Sequence, residues 1–312
     1  MGLKFFIPGG AGYIGSVLSE ALLRQGHAVT VLDNFYYNQN SLLSVIREKN
    51  LTLVKGDIRD VSALRPYLSQ ADVVIPLASL VGAPLCDREP LLATQVNLEA
   101  PIEMFKLVSN QQILVMPTTN SAYGSGDANN LCNESSPLNP ISSYAKMKVA
   151  LEQVLMEKEN AISLRLATVF GVSPRMRLDL LVNDFTYRAL RGDKMAVFEG
   201  HFKRNYIHVL DVVGAFQHVV ANFQSMRGQV FNVGLSSANL SKIELCEKIK
   251  ELIPGFVFHE DFSGKDPDQR NYIVSNEKIE ATGFFPRYSI SDGVSELIRA
   301  YPLLDNVKMR NI

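Results

Sequence analysis

"FIPGGAGYIGSVLSEALLRQG", residues 6–26, is the stretch on which the fold turns. The apolar run "LKFFI" leads into it at strand length, and Gly9, Gly12 and Gly15 then recur every third residue where an amphipathic segment opens. The first glycine permits a tight turn, the second lets backbone approach a pyrophosphate, and the third lets helix pack closely on strand. A phosphate placed there meets the positive end of the helix. The periodicity predicts a helix with Ile14, Val17, Leu18, Ala21 and Leu22 on one face and Gly26 as its C-cap. A glycine triplet alone is a weak signal. It gains weight from Asp33, which closes the next apolar run, "AVTVLD", 18 residues after Gly15.

Outward from this unit the same rhythm continues. "LTLVKGD", "DVVIPLA", "QILVMP" and "AISLRLATVFG" are further β-branched, apolar runs separated by helical patterns. Continuous apolar strands alternating with helices imply a parallel sheet covered on both faces, so the expected fold is α/β, a doubly wound Rossmann sheet. After Gly171 the alternation stops. Residues 1–171 are therefore expected to form the dinucleotide-binding domain and 172–312 a smaller mixed α/β domain for substrate. Residues 206–233 ("YIHVLDVVGAFQHVVANF" and its sequel) are expected to return to the first domain as one more strand and helix.

Asp33 can accept hydrogen bonds from both hydroxyls of an adenine ribose and would repel a 2′-phosphate. "NFYYNQN" after it offers no arginine to hold one. NAD is thus expected rather than NADP. The cofactor contacts expected from position are Gly9, Gly12, Tyr13, Ile14 and Gly15 in the loop, and Asp33 and Asn34 after the second strand. Asp57 and Ile58 follow the third strand, and Leu77 and Ala78 the fourth.

The chemistry is expected from "PTTNSAYG" and "YAKMK". Tyr144 and Lys148 are one helical turn apart and share a face, on a helix that Ser142 or Ser143 can cap. A tyrosine of ordinary pKa near 10 is a poor base at neutral pH; lowering it by about three units takes roughly 4 kcal/mol from nearby positive charge. Lys148 supplies part of that charge and can hold nicotinamide ribose hydroxyls. Thr119, at the end of the fifth strand, would hydrogen-bond the oxygen that loses its proton.

The totals exclude several other classes. With a formal net charge of −1, the 312 residues give no reason to expect nucleic acid or an anionic membrane as partner. No apolar run is long enough to cross a bilayer or to be a signal peptide. Cys86, Cys132 and Cys246 are widely spaced and without a histidine partner, as expected of reduced thiols in a cytoplasmic protein. No metal site is expected.

"GGAGYIG", "VLDN", "GDIRD", "TTNSAYG", "YAKMK", "LATVFG" and "RNYIHVLDV" together resemble the extended short-chain dehydrogenase/reductase family, in its nucleotide-sugar epimerase/dehydratase branch. The resemblance covers nearly the whole chain. It implies a nucleotide-diphosphate sugar as substrate, with the tyrosine taking a proton from a sugar hydroxyl, usually at carbon 4, while NAD takes the hydride. It also implies a homodimer in which the helix of "EPLLATQVNLEAPIEMFKLVS" and the Tyr144 helix form a four-helix interface. Arg204 matches the arginine that the family sets against the substrate phosphates; Arg270 is a second candidate, and Asn183 a substrate-side group by position. The pattern is not kept everywhere: Pro8, Val81 and Thr168 replace a threonine, a lysine near the cofactor phosphates and an asparagine. Asn120 and Ser121 stand on the substrate side, where the 4,6-dehydratases carry Asp-Glu as acid and base; neither can do that work near neutral pH. "PLASLVGAPLC", "GLSSANL" and "DPDQRNYIVSN" look like the GDP-heptose 4-dehydrogenases of bacterial capsule pathways, which points to oxidation. A 4-epimerase that keeps its cofactor is the alternative. A binding-only relative is a third reading, one that would typically lack the tyrosine or the lysine.

Overall fold

The computed structural model describes residues 2–125, 131–264 and 270–304. Seven parallel strands make the main sheet: β1 (Lys4–Pro8), β2 (Ala28–Asp33), β3 (Leu51–Lys55), β4 (Val73–Val74), β5 (Ile113–Thr119), β6 (Ala161–Leu166) and β7 (Gln229–Val233). Their order, β7-β6-β5-β4-β1-β2-β3, reverses direction between β1 and β4, where ligand crevices of doubly wound sheets lie. The unbroken apolar character of β1 has a direct cause. Phe5 and Ile7 pack into the cluster on one face, with Leu18, Leu22 and Phe216. Phe6 joins the cluster on the other face, with Leu64, Met104 and Leu151.

Helix α1 (Tyr13–Arg24) forms where the periodicity predicts, but its buried stripe is Gly15, Leu18, Ser19 and Leu22. Ile14, Val17 and Ala21 are only half-buried. Close approach explains the shift. A Cβ at Gly15 would sit 2.5 Å from the Gly9 carbonyl oxygen, so the smallest residues, not the largest, face the glycine loop.

The helix α2 (Ser143–Leu155) is capped by Ser142, whose hydroxyl accepts from the Ala145 amide at 3.2 Å. The expected helix before β5 is a composite over residues 90–107, with a π-helical turn at Gln95–Glu99 preceding Pro101. Proline cannot donate into the ladder, and a wider turn accommodates that loss.

The return of 206–233 to the main sheet is only partial. Tyr206–His208 end the strand Lys203–His208, which pairs with Thr168–Phe170 and Asn239–Ser241 in a separate three-stranded sheet. Helix α3 (Val209–Ala221) then packs on the main-sheet cluster, and β7 pairs with β6. Beyond β6 a third apolar cluster joins helices Leu181–Leu190, Lys242–Leu252 and Ile290–Ala300. Cys86 and Cys246 are buried in different clusters. No helix among the described residues is long and apolar enough to cross a membrane.

Candidate active site

The glycine loop is built by contacts that leave no room for side chains. Gly9 has φ +80°, and a Cβ there would lie 2.3 Å from the Ala78 nitrogen. Asp33 fixes the loop from the end of β2: one carboxylate oxygen accepts from the Ala11 amide at 3.1 Å, the other from Phe35 at 2.8 Å and Gln39 at 3.2 Å. Gly12 is different. It has ordinary extended backbone (φ −78°), and a Cβ would meet nothing but the Gly9 oxygen, at 3.2 Å. At 12 the protein asks only a shift of a few tenths of an ångström at the Gly9 oxygen to admit a Cβ, whereas a ligand's phosphates above the first turn of α1 would meet it directly.

This makes Gly12→Ala a test of the cradle. Unfolding free energy is expected to stay within about 0.5 kcal/mol of wild type. NADH affinity should fall by about tenfold or more, equivalent to roughly 1.4 kcal/mol. A variant that loses stability while keeping its affinity would show that the fold, not a ligand, requires the glycine.

Two adjoining cavities open from this loop. The smaller, of about 150 Å³, is bordered by Asp33, Asn34, Asp57, Ile58, Leu77 and Ala78. Its dimensions and carboxylate suit an adenosine. Arg59, which the sequence argument passed over, also borders it. Its guanidinium is committed to Asp57 (2.9 and 2.8 Å) and to Gln95 (3.1 Å), and it holds the Asp57 carboxyl below the usual carboxylate range. An arginine already paired with Asp57, in a cavity that also presents the Asp33 carboxylate, is a poor receptor for a 2′-phosphate.

The larger cleft, of about 510 Å³, is bordered by Gly9, Gly12, Tyr13, Ile14, Gly15 and Leu77 on the loop side. Thr119, Tyr144 and Lys148 also line it, as do Ser121, Arg204 and Arg270. The Thr119 hydroxyl donates to the Ser121 hydroxyl at 3.0 Å and accepts from the Ser121 amide at 3.1 Å. Arg270 donates to the same Ser121 oxygen. The Lys148 ammonium lies 5.9 Å from the Tyr144 ring centroid. Burial pushes the Tyr144 hydroxyl up to about 12, with Cys86 adding to the rise and Arg177 and Arg270 pulling it back. Burial also lowers Lys148 to about 8. In the ligand-free protein, then, desolvation outweighs the charges around Tyr144. A phenolate there needs the further positive charge of an oxidised nicotinamide.

Two expected substrate residues are not on the cleft. Asn120 is 1% exposed, and neither amide atom has a hydrogen-bond partner. The 3-10 turn Asn120–Tyr123 begins directly after Thr119 and rotates Asn120 into the interior, leaving Ser121 at the cleft. Asn183 is fully buried and braces backbone instead. Its oxygen accepts from Gly171 at 3.1 Å, and its nitrogen donates to the Arg177 carbonyl at 3.0 Å.

Arg177, which it braces, and the neighbouring Arg175 have no counterpart among the expected residues. Arg175 and Arg177, in "SPRMRLD", both border the cleft, as does Tyr37. Two arginines in a short segment after a strand's C-terminal end were a usable signal, because ligands of such sheets bind at those ends. Arg177 is ion-paired with Asp179.

Known proteins resemble this chain in sequence and in fold. The sequence pattern of the NAD dependent epimerase/dehydratase family matches residues 5–234. The low-salt glycan biosynthesis protein Agl12 of Haloferax volcanii is 28% identical over 321 residues, 96% of this chain and 98% of that protein. The dTDP-glucose 4,6-dehydratase of Streptomyces niveus is 28% identical over 324 residues, 96% of this chain and 93% of that one. The solved dTDP-glucose 4,6-dehydratase of Bacillus anthracis, in complex with NAD, superposes with a TM-score of 0.84 at 22% identity, covering 98% of this chain and 99% of that one. That structural likeness shows the fold.

Proposed function

This chain belongs to the NAD dependent epimerase/dehydratase family, and on that premise we propose that it oxidises carbon 4 of a nucleotide-diphosphate sugar to the 4-keto sugar. The observation that carries the proposal is a single cleft bordered by the glycine loop, by Thr119, Tyr144 and Lys148, and by Arg204 and Arg270. NAD, when bound, supplies the hydride acceptor. Tyr144 takes the proton of the carbon-4 hydroxyl, and Lys148 stabilises the charge that makes this possible. Thr119 hydrogen-bonds the oxygen as it becomes a carbonyl. Arg204 and Arg270 bind the diphosphate through charge-assisted hydrogen bonds.

The Streptomyces niveus and Bacillus anthracis proteins named above are 4,6-dehydratases, but the second step of that reaction needs an acid and a base beside the catalytic threonine. Here Asn120 is turned inward and Ser121 is a hydroxyl held by Arg270. Neither supports elimination. The sugar is read as GDP-linked, a heptose or hexose destined for a surface polysaccharide, in a cytoplasmic homodimer formed through residues 90–107 and α2. The family's epimerases keep a second outcome open, return of the hydride to the other face.

The test uses purified protein with GDP-, UDP-, dTDP- and CDP-sugars, following NADH at 340 nm and identifying the product by NMR. A 4-keto sugar with stoichiometric NADH supports the proposal. A mixture of two carbon-4 epimers with no net NADH would replace it with an epimerase. Exchanging Arg204 or Arg270 for Met should raise KM for the sugar nucleotide by about tenfold or more, since a charge-assisted contact contributes roughly 1.5–3 kcal/mol. An unchanged KM would remove that arginine from the phosphate site.

A further inference from the structure

The loop after Thr168–Phe170 is bolted to the first turn of α1. The Tyr13 hydroxyl donates to the Gly171 carbonyl at 2.6 Å, and the Ser173 hydroxyl donates to the Tyr13 carbonyl at 2.7 Å. Ser173 also meets the Ser16 hydroxyl at 3.2 Å and accepts from the Arg175 amide at 3.2 Å. The backbone of Arg175 is therefore held, through one serine, against the helix end whose amides face the glycine cradle.

The side chain goes the same way. Arg175 is 5% exposed, and its guanidinium carbon lies 4.4 Å from the centroid of the Tyr37 ring. Tyr37 borders both cavities, at their shared seam with Gly9 and Gly12. Its hydroxyl is buried with no hydrogen-bond partner. A cation held on an aromatic face at that seam lies where the two halves of a dinucleotide must join. Val81, on the same cleft, brings no charge.

We propose that Arg175 grips the pyrophosphate of the dinucleotide, a cofactor contact delivered by the substrate-side loop and not by the glycine loop, with Tyr37 as the platform that positions it. This rests on the NAD reading given above. The helix end offers a partial positive charge to a diphosphate, and a guanidinium adds a full one in a fork that matches phosphate oxygens. Because Arg177 follows two residues later and borders the cleft near Tyr144, one loop would carry a cation toward each ligand.

The experiment titrates NADH into full-length wild type, Arg175→Gln and Arg175→Lys by nucleotide fluorescence, with adenosine and ADP as competitors. In Arg175→Gln, NADH and ADP should bind about tenfold or more weakly, while adenosine, which has no phosphate, should bind as in wild type. Arg175→Lys keeps the charge without the fork and should lose about threefold for NADH and ADP, with adenosine unchanged. Unchanged NADH and ADP affinity in either variant overturns the proposal. So does parallel weakening of adenosine and ADP, which would make the position a structural one. If Arg175→Gln does not fold, the ratio of ADP to adenosine affinity in Arg175→Lys decides. A wild type that binds neither NADH nor ADP would instead overturn the cofactor reading itself.

Discussion

Exchanging Tyr144 for Phe is expected to lower kcat by about 10³-fold, within the range for loss of a positioned general base, while NADH affinity stays within about twofold of wild type. The substitution removes one oxygen from the cleft and leaves the ring. The ring remains on α2, whose cap at Ser142 and whose Lys148 one turn later are untouched. What disappears is the only group among Thr119, Tyr144 and Lys148 able to accept a proton from a sugar hydroxyl as an anion. Thr119 is too weak an acid, and Lys148 below about 8 is already an ammonium.

The same geometry sets a pH signature. Without ligand, burial holds the Tyr144 hydroxyl up at about 12, so a tyrosinate absorbance missing from Tyr144→Phe should develop only at strongly alkaline pH. Oxidised dinucleotide adds positive charge and should bring that transition down by about one to three units. For the oxidation direction, kcat/KM should then rise with pH up to the lowered value. Turnover of Tyr144→Phe within tenfold of wild type would remove Tyr144 from the proton transfer.

The second large effect is on stability. Arg165 on β6 and Glu152 on α2 form a buried pair with side chains 5% and 6% exposed, Nη2 to Oε1 at 2.6 Å. The other Glu152 oxygen accepts from the hydroxyls of Thr118 at 2.8 Å and Ser163 at 2.6 Å, and Arg165 Nη1 donates to the Tyr123 hydroxyl at 3.0 Å. The network joins β5, β6 and α2 directly behind Thr119. Arg165→Met would leave a carboxylate buried with hydroxyls alone, and the expected loss is about 3–5 kcal/mol in urea unfolding. Replacing both partners, Arg165→Met with Glu152→Leu, should recover most of it, because no charge is then left unpaired. A loss below about 1 kcal/mol in the single variant would mean that water reaches the pair. Glu152 lies one turn beyond Lys148 on the face that carries Tyr144. Misrotation of α2 should therefore reduce kcat in whatever fraction of Arg165→Met remains folded.

What could be read along the chain was what short-range geometry dictates. Helical spacing places Tyr144 and Lys148 on one face whatever surrounds them. Strand-turn-helix stereochemistry requires Gly9 and Gly15, and the strand end before that turn's partner fixes Asp33. The alternation of apolar runs with amphipathic segments is enough for a doubly wound sheet, since parallel strands must be covered on both faces. Even the substitution of Asn120 and Ser121 for an acid and a base is visible without coordinates.

The remainder depended on contacts between residues far apart in sequence. Asn183 has the position of a substrate ligand but is used to hold the Gly171 and Arg177 backbone, because it sits on the buried side of a helix whose Leu181 and Asp184 border the cleft. Arg165 looks like an interruption in the buried run "AISLRL" until α2 brings Glu152 to it. Arg175 and Arg177 are two charges in a connecting segment until Ser173 ties that segment to Tyr13, 160 residues away. A single sequence records which groups can bond. Which of them meet is decided by the packing of one layer on another, where desolvation makes the unmet group costly.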